Sequence, residues 1–141
     1  MQTEGPGVPQ KQKRRPMKPP SEALRAWSAA LRSELELWPQ IQLKSSFGMV
    51  MVYRGETIFA ALPGSRAFYG EDAIMLKFNS EPRGLAGRIA AEPRFVAGAM
   101  HTNSGREGHK WRLLALKSDA DVHAAIEWLD EAYQAAGKRR K

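Results

Sequence analysis

Apolar positions along this chain follow two different periods. From Ser21 to Pro39, Leu24, Trp27, Leu31, Leu35 and Trp38 recur every three or four residues, which draws one apolar stripe down a helix. That pattern predicts a helix over about 21–37. Ser21 is placed to cap its free N–H groups, Glu22 complements its positive end, and Pro39 stops it. After Pro39 the period shortens to two. Ile41–Phe47 alternates, Met49–Tyr53 is almost continuously apolar, and Arg54-Gly55-Glu56 reads as a tight reversal into a strand over Thr57–Leu62. Pro63-Gly64-Ser65 ends that strand. Ala73–Phe78 is the next, with Ile74, Leu76 and Phe78 on one face and Met75 and Lys77 on the other.

The second half returns to helical spacing. Pro82 to Ala91 reads as a short helix, weakened by Gly84 and Gly87, with Leu85, Arg88 and Ile89 on one face and Pro93 beyond its end. Residues 98–110, with Gly98, Gly105, Gly108, Asn103 and Ser104, read as a long mobile loop. Trp111–Leu116 is a final strand. Ser118 and Asp121 stand at capping-box spacing before a closing helix whose stripe is Val122, Ala125, Ile126, Leu129, Ala132 and Tyr133, ended by Gly137. Consecutive strands with short links favour an antiparallel meander, and two amphipathic helices need one of its faces. The expected fold is therefore α+β: an antiparallel sheet of about five strands, packed on one face by the N-terminal and C-terminal helices.

Around this body the chain changes character. Residues 1–20 hold Pro9, Pro16, Pro19 and Pro20 with Gly5 and Gly7, and read as a disordered basic arm carrying Lys11, Lys13, Arg14, Arg15 and Lys18. Residues 138–141 are Lys138, Arg139, Arg140 and Lys141. The formal charge is +7, yet residues 21–137 carry 13 Lys/Arg against 14 Asp/Glu. The positive charge belongs to the ends. One domain over 21–137, with an arm before it and a tail after it, is the expected organisation. The chain has no Cys, which removes disulfides and thiolate metal sites. No run of 18 apolar residues exists and no apolar segment follows the basic stretch, so neither a membrane span nor a secretory signal is expected, and a cytoplasmic location is.

The order Phe47-Gly48, a strand to a glycine turn at Gly55, a strand containing Phe59-Ala60, a strand ending at Lys77, Trp111 opening a strand, and a closing helix with Tyr133 resembles the MmcQ/YjbR-like family. It is also similar to the related N-terminal domain of TfoX-like competence regulators. The resemblance spans roughly residues 24–135. It implies a small α+β domain with a DNA-binding or regulatory role, in which Phe, Gly and Trp at these places are architectural, and it carries over no catalytic residue.

Few residues suggest chemistry. His101 and His109 flank the glycine-rich loop with Arg106 and Glu107 inside it, but their spacing matches no metal motif, and no metal or other cofactor is expected. Nothing resembles a Ser-His-Asp set, a phosphate loop or HExxH. His123 reads as a surface residue. Lys44, Arg54, Arg66 and Lys77 would together give the sheet a basic face. Trp27, Trp38 and Trp111 read as core, Trp128 as a rim residue, and Phe68 and Tyr69 as the more exposed aromatics.

Three readings of function follow. The first is a non-catalytic regulatory or DNA-associated domain whose basic ends, from Lys11 to Lys18 and Lys138 to Lys141, make weak, salt-dependent contact with DNA or RNA. The second is a ligand-binding domain or enzyme with a pocket between the sheet and loop 98–110, where Arg66, Lys77, His101, Arg106 and His109 meet an anion. The third is a homodimeric adaptor joined through Phe68 and Tyr69.

Overall fold

The computed structural model describes residues 19–67, 72–96, 101–102 and 110–137. Within them, three helices and six strands follow in the order α1 (Glu22–Leu35), β1 (Ile41–Ser46), β2 (Met49–Arg54), β3 (Thr57–Pro63), β4 (Ala73–Lys77), α2 (Leu85–Ala91), β5 (His101–Thr102), β6 (Lys110–Ala115) and α3 (Asp119–Gly137). The strands form one sheet in the order β1-β2-β3-β4-β6-β5, antiparallel at every pairing. Five strands have five to seven residues and β5 has two. The fold is the α+β arrangement that the periodicity predicts.

One face of the sheet carries the helices. Val50, Val52, Phe59, Ala60, Leu62, Ile74, Leu76 and Leu114 form a continuous core with Leu24, Leu31 and Leu35 of α1 and Ala125, Leu129, Ala132 and Tyr133 of α3. Helix α1 starts where Ser21 accepts the Leu24 N–H at 3.0 Å, and Pro20, just before that cap, is already buried. Ser28, on the buried side of α1, donates to the Pro63 carbonyl at 2.7 Å and ties the helix to the end of β3. At the start of α3 the Asp121 carboxylate accepts the N–H groups of Lys117 at 2.6 Å and Ser118 at 3.2 Å. This is half of a capping box, since the Asp121 N–H bonds to the Ser118 carbonyl.

Three expectations are revised. Trp128 is buried, with 9% of its surface exposed. Its ring lies edge-on to Phe95 at 4.9 Å and Phe78 at 6.3 Å, and its Nε1–H donates to Glu92. It sits one residue before Leu129, and α3 is covered over a broader arc than one stripe because Phe78 after β4 and Glu92 and Phe95 after α2 lie against it. In α2 only Leu85 and Ile89 enter the core; Arg88 is exposed and pairs with Glu131 of α3 at 2.9 Å. Finally, residues 98–110 include strand structure: β5 pairs with β6 through His101 opposite Trp111 and Thr102 opposite Lys110. Arg94–Val96 runs along the same edge of β6, with Ala115 N–H to the Arg94 carbonyl at 2.8 Å and Val96 N–H to the Leu113 carbonyl at 2.9 Å. Glycine content had no bearing on that pairing, because a sheet edge supplies the hydrogen bonds.

Candidate nucleic-acid interface

Lys11, Lys13, Arg14, Arg15, Lys18, Lys138, Arg139, Arg140 and Lys141 lie outside the described residues. So do Phe68, Tyr69, Arg106 and His109. The body between the two ends can be read cation by cation.

Most of its arginines are engaged internally. Arg54 leaves the end of β2 toward α3. It donates through Nη1 to the Tyr133 carbonyl at 3.0 Å and through Nε to Gln40 at 3.1 Å, and its guanidinium lies 4.2 Å from the centre of the Tyr133 ring. It neutralises the negative end of the last helix. Arg112 reaches Glu81 at 3.5 Å, and Arg32 pairs with Glu36. Arg94 bridges two acids, with Nη1 at 2.9 Å from Glu92 and Nε at 2.7 Å from Asp121, and so fastens the segment after α2 to the start of α3.

That bridge sets the local protonation. The Arg94 hydrogen bond first, then the Lys117 N–H, holds the Asp121 carboxyl below its ordinary value. Burial of Glu92 favours its neutral form, but donors from the Trp128 indole, the Arg94 backbone and the Arg94 guanidinium together outweigh it and hold that carboxyl low as well. Asp121 and then Glu92 raise Arg94. These groups are fully partnered, as a structural clamp requires.

Lys44, Arg66 and Lys77 have no carboxylate within ion-pair distance among the described residues. They do not share a surface with Arg54. Lys44 and Lys77 project from the sheet face away from the helices, where Lys44 lies 4.8 Å from the Tyr53 ring centre and Lys77 5.7 Å from that of Trp111. Three strand spacings separate them, about 14 Å. The ladder sets Lys77 opposite Trp111 and Trp111 opposite His101, so these three occupy one row across β4, β6 and β5. Arg66 is at the other end. It follows β3 beyond Pro63, near the end of the sheet where Ala73 meets Ala115. Of the anion-contact set, the register places Lys77 and His101 in one row, two strand spacings apart, and keeps Arg66 at the other end. Trp111 is 7% exposed but faces away from the helix-packed core.

The feature that sequence reading passed over is the β1–β2 turn. Ser46 pairs with Met49, leaving Phe47 and Gly48 as a two-residue loop with φ of +54° and +80°. Phe47, expected to be architectural, is 81% exposed. Its only signal in the sequence is that strand alternation stops at Gly48. Arg66 lies against this turn, its N–H donating to the Gly48 carbonyl at 3.0 Å. Among the described residues no group of three or more His, Asp or Glu side chains is placed to hold a metal, and no helix is long and apolar enough to cross a membrane.

No protein-family model, no curated protein and no solved structure matches this chain.

Proposed function

We propose that this chain is a small non-catalytic regulatory domain of the cytoplasm that holds DNA or RNA weakly through its cationic ends. The observation that carries the reading is the segregation of charge: nine Lys/Arg lie in residues 11–18 and 138–141, while residues 21–137 carry slightly more acid than base. Lysines and arginines strung along such segments neutralise phosphates and release their counterions whatever the base sequence. The engagement of Arg32, Arg54, Arg88, Arg94 and Arg112 within the body supports the same reading, because it offsets much of the positive charge that the described residues carry. The resemblance to MmcQ/YjbR-like and TfoX-like domains agrees with a regulatory role.

The test is binding of the full chain to duplex DNA, single-stranded DNA and RNA of equal length at two salt concentrations, beside a variant lacking residues 1–18 and 138–141. Affinity that falls with salt and is largely lost in the shortened chain is expected. Affinity indifferent to either change overturns the proposal.

A further inference from the structure

The β1–β2 turn carries a residue that its backbone disfavours. Two-residue hairpin loops with positive φ at both central positions select Asn or Asp and then Gly, because a short polar side chain or none at all tolerates that conformation. Gly48 meets the requirement and Phe47 does not. Nor does packing account for the ring, since four fifths of the residue faces solvent. A bulky side chain at positive φ points to a demand outside the local fold.

The turn is braced. Besides the Arg66 N–H to Gly48 carbonyl bond, the Gly64 N–H donates to the Arg66 carbonyl at 3.1 Å. Gly64 packs so closely that a Cβ there would lie 2.6 Å from the Gly48 oxygen. Ala67, fully buried, anchors the far side of this second turn. Two interlocked turns therefore present an exposed phenyl ring and, beside it, the exposed guanidinium-bearing Arg66. Because the backbone of the turn is braced before binding, little main-chain freedom is lost when something stacks on the ring.

We infer that Phe47 is a stacking platform for an unpaired nucleobase, with Arg66 contacting the adjoining phosphate, so that the polyanion is single-stranded. This rests on the proposed nucleic-acid reading and narrows it. An aromatic face beside a cation suits a base and its phosphate, and every base offers a π-face. In a duplex the bases are already stacked and would have to be opened at a cost. A membrane or an apolar protein groove fits less well. Among the described residues the turn is flanked by Ser45, Ser46, Ser65 and Arg66, and Leu37, the other large exposed apolar residue among them, sits at the opposite end of β1, about 20 Å away by strand rise. The two cannot form one apolar patch.

The full chain and its Phe47→Asn variant are to be titrated, at one low salt concentration, with a 12-nucleotide oligothymidine, a 12-base-pair duplex, and vesicles containing phosphatidylserine. Asn suits the turn, so the variant folds at least as firmly, which a thermal melt checks. The expected result is a loss of about tenfold or more in affinity for the single strand, the size of one stacked base, with duplex binding unchanged. Equal binding of the strand by both proteins overturns this inference and leaves the wider reading standing. Wild-type protein that binds neither nucleic acid overturns both, and a variant weakened only toward vesicles overturns this one in favour of a membrane surface.

Discussion

Gly64 has an ordinary backbone conformation, yet a methyl group on it would meet the Gly48 carbonyl oxygen, a backbone atom with little room to retreat. The same oxygen already accepts the Arg66 N–H, so moving it loosens both turns. Gly64→Ala is expected to lower stability by about 1–3 kcal/mol, the usual cost of overpacking a fixed site, as measured by chemical denaturation. Gly55 contrasts with it: its φ is +62°, and a Cβ there would meet nothing within 4 Å, so it is needed for its conformation and Gly64 for its size. Sequence marks Gly55 as the glycine of a tight reversal and Gly64 only as part of the Pro63-Gly64-Ser65 end of a strand. Distinguishing them takes the neighbour across space.

At the level of elements, α3 is the most heavily anchored. Leu129 is fully buried against the sheet, and Leu129→Ala should cost about 2–5 kcal/mol by removing buried carbons and leaving a cavity. Its N-terminal end depends on ionised carboxylates. Glu92 and Asp121 both have lowered pKa values, so their contribution to stability is complete above the ordinary carboxylate range near 4 and is lost as pH falls through the depressed values. The midpoint of urea unfolding should hold steady from pH 7 to 5 and drop below about pH 4. Arg94→Met should flatten that drop, because it removes the main donor to Asp121 and one to Glu92. The same substitution at Arg88, whose pairing with Glu131 is surface-exposed, should leave the acid limb nearly unchanged.

For the whole molecule the relevant quantity is net charge and where it lies. A total of +7 with a near-neutral middle predicts that binding to a polyanion is governed by the ends. Each cation that engages a single strand adds about 0.7 to the steepness with which log affinity falls against log salt, and each that engages duplex about 0.9. Removing residues 1–18 should therefore cut the slope more than removing 138–141, since five cations go with the first and four with the second. Thermal stability should hardly change in either case, because the helix-packed core is already continuous over residues 24–136 among the described residues.

The sequence by itself determined the elements and the layer they form. Helix α1, the β1–β2–β3 meander, β4 and α3 appear near the expected residues, because periods of 3.6 and 2 and the Ser21, Pro39, Gly55 and Gly137 boundaries are local properties of the chain. The segregation of charge is equally plain in it. Only the tertiary structure decided which side chains meet. Arg54 caps a helix through Tyr133, 79 residues away; Trp27 Nε1 donates to Asp119, 92 residues away; and Trp128 enters the core because Phe78, Phe95 and Glu92 surround it. The separation of Arg66 from Lys77 and the exposure of Phe47 also follow from strand register and from the packing of one turn on another. Local spacing records which face a residue takes within its own element. It holds no record of which element will lie across from it, and that is where charges are paired and rings are covered or left bare.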